Sequence, residues 1–174
     1  PQGAKNECLQ ILCAVLLTEK EVTIHNIPNI RDVNNLIVLL GDLGVSVQHL
    51  GTGSYCFRAK DVDIEYIQSA AYAKSAAALR GSIMVLGPLL ARFGRARIPQ
   101  PGGDKIGRRR LDTHFLGFAK LGAKLNFDAE AHFYEIDASN LKGDYILLDE
   151  PSVTGTANVI MAAVLAKGKT TLYN

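Results

Sequence analysis

Apolar side chains along the chain alternate between helical and strand spacing, and the switch between the two recurs. Leu9, Leu12, Cys13, Leu16 and Leu17 make a helical stripe behind Gly3-Ala4-Lys5-Asn6-Glu7, which predicts a helix with Lys5 and Asn6 at its N-terminus. One apolar helical pattern closes on Leu43-Gly44 and a later one on Leu121-Gly122. Glycine just past the last apolar position is a helix stop, because it adopts the left-handed conformation without a Cβ penalty. Each stop is followed by period-two alternation, in Val45-Ser46-Val47 with Tyr55-Cys56-Phe57-Arg58-Ala59 and in Lys124-Leu125-Asn126-Phe127 with Tyr134-Glu135-Ile136. Both stretches predict half-buried hairpins.

These elements belong to a repeating unit of roughly helix, strand, helix and hairpin. Ala14-Val15-Leu16-Leu17-Thr18-Glu19-Lys20-Glu21-Val22-Thr23-Ile24-His25-Asn26 returns, one residue shorter, as Ala163-Val164-Leu165-Ala166-Lys167-Gly168-Lys169-Thr170-Thr171-Leu172-Tyr173-Asn174. A middle copy takes Ser82 to Phe93 as helix, Arg97-Ile98-Pro99 as strand and Asp112 to Lys120 as second helix. The copies start about 70 to 80 residues apart, and the third stops after its first strand. The expectation is therefore a fragment of a longer protein.

At 174 residues and 48% hydrophobic the chain is long enough to bury a core as one domain. Its net charge of +2 gives no general reason to seek nucleic acid or membrane, but the distribution is uneven. Between Arg92 and Arg110, seven basic side chains face Asp104 alone, a local +6 that leaves −4 for the rest. The three cysteines, Cys8, Cys13 and Cys56, have no metal-ligand spacing and are expected to be reduced thiols. With no long apolar run and no basic-then-apolar leader, the expectation is a cytoplasmic protein that does not enter membranes.

The basic residues centre on Pro99-Gln100-Pro101-Gly102-Gly103-Asp104-Lys105-Ile106-Gly107-Arg108-Arg109-Arg110-Leu111-Asp112. Its prolines and glycines preclude regular helix or strand, so it is read as a loop between a strand and a helix. Glycine lets backbone amides approach an anion and arginine offers a forked donor to phosphate oxygens, so the loop suits phosphate esters. A solvated loop with solubilising arginines is the other reading. Asp104 either anchors the arginines or works as an acid or base.

Lys5 and Asn6, at a helix N-terminus, either meet an anion with the help of the helix dipole or are a surface lysine beside an N-capping asparagine. Arg80 stands out in the small-residue stretch Ala76-Ala77-Ala78-Leu79-Arg80-Gly81-Ser82, where a surface position is the default. His25, His49, His114 and His132 share no spacing, so they are read as structural or solvated and no metal site is expected.

Taken in order, Gly3-Ala4-Lys5-Asn6, Leu79-Arg80-Gly81-Ser82-Ile83, Gly87-Pro88-Leu89-Leu90-Ala91-Arg92-Phe93-Gly94, Pro101-Gly102-Gly103-Asp104-Lys105-Ile106-Gly107, Arg109, Asp112, His114 and Ser152-Val153-Thr154-Gly155-Thr156 carry a resemblance over essentially the whole chain. The sequence resembles the enolpyruvyl transferases that act on UDP-N-acetylglucosamine in bacterial cell-wall synthesis. The resemblance implies an α/β (α+β) fold, with each of two domains an inside-out α/β barrel of three helix-and-sheet units. Residues 1–174 would be most of the first domain, without the extreme N-terminus and the second domain, and inactive by themselves.

The resemblance further implies the small-molecule substrates phosphoenolpyruvate and UDP-N-acetylglucosamine, no nucleic-acid or membrane partner, and no cofactor. Lys5 and Asn6 would contact both substrates, and Arg80 and Arg109 would hold phosphate or carboxylate charge. Arg109, Arg110, Leu111, Asp112 and Thr113, with Glu150, Pro151, Ser152 and Val153, would line the nucleotide. Asp104, Lys5 and Arg109 would be the catalytic set, with Asp104 as proton donor where most relatives carry cysteine. Arg110 and Glu150 depart from the residues common at their positions, which puts the nucleotide contacts there in question.

A carboxylic acid with a reference pKa of about 3.9 is mostly ionised at neutral pH, so Asp104 would need desolvation or a proton from bound phosphoenolpyruvate as the loop closes. A carboxylate is also a poor nucleophile, so fosfomycin, an epoxide that alkylates the thiol in cysteine-bearing relatives, would fail here. The sister transferase acting on shikimate 3-phosphate shares the chemistry but lacks the Pro-Gly-Gly-Asp loop. A nucleic-acid-binding module would explain the basic loop, yet only Phe93 among aromatics lies within the basic stretch from Arg92 to Arg110.

Overall fold

The computed structural model describes residues 3–100 and 111–174. The first unit runs α1 (Lys5–Ala14), a 3-10 turn (Val15–Leu17), β1 (Glu21–Ile24), α2 (Arg31–Asp42), β2 (Ser46–Gly51) and β3 (Ser54–Arg58). After a 3-10 turn (Ile64–Gln68) come α3 (Ala70–Ala78), a further 3-10 turn (Arg80–Val85) and α4 (Leu86–Phe93). The second unit continues with β4 (Arg95–Pro99), α5 (Asp112–Lys120), β5 (Lys124–Asp128) and β6 (Phe133–Asp137). β7 (Tyr145–Leu147), α6 (Val153–Ala163) and β8 (Thr171–Tyr173) follow.

The repeat is visible in strand register. In the first sheet, of order β1-β3-β2, Arg58 lies between Glu21 and Ser46, and Phe57 between Val22 and Val47. In the second, of order β4-β6-β5, Asp137 lies between Arg95 and Lys124, and Ile136 between Ala96 and Leu125. In both, the hairpin's second strand inserts antiparallel between the other two. Gly44 and Gly122 close α2 and α5 with φ of 92° and 94°, the left-handed conformation the helix stop requires. The third copy has its helix α6 and strand β8 as predicted, and β8 pairs in parallel with β7, a strand the sequence reading did not anticipate.

The helices lie inside and the sheets outside, the inverse of a barrel whose strands line the middle. α4 and α5 both pack on α6, and α1 packs on α2, α6 and the turn Arg80–Val85. α2 shows how pattern becomes packing: Val33, Leu36, Leu39 and Leu40 fall on one face and are all buried. Among the described residues no single helix is long and apolar enough to cross a membrane; the apolar stretch Ala70–Phe93 is broken by a 116° bend.

The helix expected over Ser82 to Phe93 is a correction. The chain makes a 3-10 turn over Arg80–Val85, and α4 begins only at Leu86. Pro88 has no N–H to give the Met84 carbonyl, so it sits best in the first turn of a helix rather than inside one.

Candidate functional site

The first turn of α5 and the first turn of α6 lie side by side. Ser152 caps α6, its Oγ accepting the Gly155 N–H at 3.0 Å, and its own N–H donates to Asn174 Oδ1 at 2.8 Å. Such a cap satisfies one of the donors a helix start leaves without an intrahelical partner. Thr113, buried in α5, donates its hydroxyl to Asp149 Oδ1 at 2.9 Å, with Glu150 Oε1 at 3.4 Å. A Cβ on Gly155 would stand 3.0 Å from the Thr113 methyl and 2.8 Å from Ser152 Oγ. The expected segments Leu111-Asp112-Thr113 and Glu150-Pro151-Ser152-Val153 are thus brought together, with Leu111 half-buried and Asp112, Pro151 and Val153 exposed.

Arg80, half-buried, opens the 3-10 turn before α4. Burial, and to a lesser extent the Arg80 charge, push the His114 imidazole down to about 4. His114 was read as structural or solvated; it is 3% exposed and tied to Asn158, which is fully buried. The Asn158 amide donates to Ile83 O at 2.9 Å and to His114 Nδ1 at 3.0 Å, while its Oδ1 accepts the Gly87 N–H at 2.8 Å. A side chain on Gly87 would collide with the Asn158 carbonyl and amide oxygens, so the closeness of α4 to α6 depends on that glycine. Sequence reasoning missed Asn158 altogether; an amide within the apolar helix Val153–Ala163 was the available signal.

Lys5 and Asn6 lie exposed in the first turn of α1. The cap of that helix is Ala4, with no side-chain hydrogen bond, so the N-capping reading of Asn6 is corrected. Lys5 Nζ pairs with Asp32 Oδ2 of α2 at 3.0 Å, both side chains nearly half-exposed. Gly81, next to Arg80, abuts the Leu9 side chain of α1, which places the Arg80 turn against that helix. Asp104, Arg109 and Arg110 lie outside the described residues.

The basic block is divided by the fold. Arg92 donates to the Leu16 carbonyl at 3.1 Å and pairs with Glu19 at 3.0 Å, fastening α4 to the end of the first helical segment. Arg95 pairs with Glu65, and Arg97 pairs with Glu135 at 3.0 Å while stacking on the Phe133 ring at 3.9 Å. These three cations are engaged in ion pairs across the sheet and helix surface, as Lys5 is with Asp32. Burial raises the thiol pKa of Cys8 and, further, of Cys13, so neither is a ready nucleophile. A cleft of about 730 Å³ bounded by Arg92, Asp137 and Lys167 lies at the C-terminal ends of α4 and α6 and shares no residue with this site.

The family model for EPSP synthase (3-phosphoshikimate 1-carboxyvinyltransferase) matches residues 1–174. The chain is 62% identical over its whole length to the UDP-N-acetylglucosamine 1-carboxyvinyltransferase of Bacteroides fragilis and 56% identical over 99% of its length to that of Porphyromonas gingivalis. It spans 40% of the length of each. Among solved structures, the enolpyruvyl transferase NikO from Streptomyces tendae superposes with a TM-score of 0.79 at 18% identity, over 98% of this chain and 39% of that one. EPSP synthase from Acinetobacter baumannii gives 0.71 at 17%, over 99% and 39%. At such identities the structures speak for the fold, whereas the matches at 56 to 62% and the full-length family match speak for descent. The chain belongs to the EPSP synthase family of enolpyruvyl transferases.

Proposed function

We propose that the protein to which this chain belongs transfers the enolpyruvyl group of phosphoenolpyruvate to the 3-hydroxyl of UDP-N-acetylglucosamine, releasing phosphate, at the committing step of peptidoglycan synthesis in the cytoplasm. The observation that carries this reading is the identity of 56 to 62%, over 99 to 100% of this chain, to relatives bearing that activity in their names. The pairing of the α5 and α6 N-termini supports it, because two helix starts with a buried Thr113 and a capping Ser152 make a polar shelf at one end of the helix bundle.

On this reading the chain is most of the first domain and supplies one wall of a site completed by a second domain, so residues 1–174 alone do not turn over. Asp104 protonates the methylene carbon of phosphoenolpyruvate. The sugar 3-hydroxyl adds to the adjacent carbon and loses its proton. A proton then leaves the new methyl group as the bond to phosphate breaks, restoring the double bond. Lys5, Arg80 and Arg109 hold the phosphate and carboxylate charge. Asn6, Arg110, Leu111, Asp112, Thr113, Glu150, Pro151, Ser152 and Val153 line the sugar nucleotide. Asp149 and Glu150 beside Thr113 suit hydroxyl or N–H donors of the nucleoside rather than its diphosphate, since carboxylates repel phosphate.

Phosphate release by the full-length enzyme tests the reading. It is expected to require both substrates and to be lost in Asp104→Asn; an Asp104→Asn enzyme at full rate would remove the proton-donor role. Fosfomycin is expected to leave the enzyme active, since Asp104 is a poor nucleophile toward an epoxide. Covalent labelling of Asp104 by the drug would refute that.

A further inference from the structure

Asn158 is bonded to three separate parts of the helical core at once. Its amide holds the Ile83 carbonyl in the turn that begins with Arg80, the Gly87 N–H at the start of α4, and the His114 ring in the first turn of α5. Asn158 itself lies on α6, whose N-terminus carries Glu150 to Val153. Arg80, Leu111 to Thr113 and Glu150 to Val153 therefore depend on one buried side chain for their relative placement.

The fold by itself does not ask for polar groups here. With Leu43-Gly44 laid on Leu121-Gly122, His114 occupies the position of Leu36; with Ala14 laid on Ala163, Asn158 occupies that of Leu9. Both leucines are buried. A buried amide and imidazole in place of leucines cost stability unless paired, and these two pair with each other and with backbone. The bonding is also directional. Ile83 O needs a donor and the Gly87 N–H needs an acceptor, which fixes which end of the Asn158 amide is NH2. An NH2 only donates, so His114 Nδ1 accepts and the ring proton sits on Nε2.

We propose that Asn158 is a positioning residue for the sugar-nucleotide site, setting the Arg80 turn against the first turn of α5 and holding His114 as its neutral Nε2–H tautomer. The proposal rests on the reading given under Proposed function. Among the described residues the charge acting on the ring is Arg80 from the turn before α4; Asp112 lies two residues before it on α5, Asp149 and Glu150 meet the adjacent Thr113, and α6 presents the uncharged Asn158.

Two variants of the full-length enzyme test it. Asn158→Ala is expected to raise the KM for UDP-N-acetylglucosamine by about tenfold or more with a much smaller change in kcat, since a displaced binding group of this kind costs up to about 10²-fold. Asn158→Asp keeps the shape and the acceptor for Gly87 but sets a carboxylate against Nδ1, which favours the imidazolium. Its KM, relative to wild type at the same pH, is expected to vary between about pH 5 and 8, where the ordinary histidine range falls. Ring 15N NMR is expected to show the neutral Nε2–H form in the wild type and a doubly protonated ring in Asn158→Asp at neutral pH. Folded variants with wild-type KM at every pH, or a wild-type ring protonated on Nδ1, would overturn the proposal. A wild-type enzyme that ignores the sugar nucleotide would instead overturn the functional reading, and the NMR tautomer would still decide the role of Asn158.

Discussion

Leu36 in the first unit and His114 in the second are both buried in the same kind of helix, under sheets whose registers match apart from a shift between His49 and Gly51 in the first. Around Leu36 the face of α2 is aliphatic, with Val33, Leu39 and Leu40. Around His114 the face of α5 carries Thr113, Phe115, Gly117 and Phe118, and reaches Asn158 across to α6. The difference separates what the architecture needs from what the site needs. The first unit shows that apolar filling suffices for the fold. The second gives up some of that filling for polar groups that bond to each other and to the backbone of Ile83 and Gly87, beside the segments assigned to the substrate.

The comparison is broken most severely by moving the histidine into the other unit. Leu36→His would bury an imidazole among leucines with no amide to meet it, and is expected to cost about 4 kcal/mol in equilibrium denaturation. A cost near zero would mean the two positions are not distinguished by their surroundings.

Acid sharpens it next. The folded pKa of His114, about 4, lies below the ordinary 6.5. Above about pH 6.5 the ring is neutral folded or unfolded, and the histidine adds no pH dependence. Between about 6.5 and 4 the unfolded chain binds a proton that the fold does not, so stability falls as pH falls, by roughly 3 kcal/mol in all, and this contribution is flat below that. His114→Leu is expected to remove this part of the acid-side slope in denaturant titrations, while the first unit, with Leu36, has no counterpart to remove.

Smaller effects belong to the rims. Ser152→Ala deletes the α6 cap and is expected to cost about 1 kcal/mol by thermal melting. Ser152→Asp, which restores an acceptor, should recover most of it. Lys5→Ala breaks an ion pair whose members are 44% and 45% exposed, so its stability effect is expected to stay within a few tenths of a kcal/mol. A large loss of substrate binding in the same variant would assign Lys5 to the site rather than to the fold.

Much of the fold was legible because local pattern and long-range register agree. α5 spans Asp112–Lys120 as expected, and the hairpins fall where the alternation put them. β7 was missed because Tyr145–Leu147 is three residues long and is made a strand by β8, far along the chain. The 3-10 turn before α4 was missed because apolar periodicity does not register a proline that withholds one hydrogen bond.

At the site, the resemblance put 111–113 and 150–153 along one nucleotide, and the structure brings the two segments together through Thr113 and Asp149, a contact the pattern alone did not name. The local +6 counted Arg92, Arg95 and Arg97 together with the loop that follows, yet in the structure these three reach Glu19, Glu65 and Glu135. A run of charge along the sequence does not say which way each side chain turns. Asn158 was missed for a related reason, since its worth lies in partners from Ile83 to His114 that only packing brings within reach.

The most direct measurement of the central claim is a competition assay with the full-length enzyme, phosphoenolpyruvate and equal amounts of UDP-N-acetylglucosamine and shikimate 3-phosphate, read by mass spectrometry. The account predicts that the sugar nucleotide alone gains the enolpyruvyl group; a modified shikimate 3-phosphate, or neither product, would contradict it.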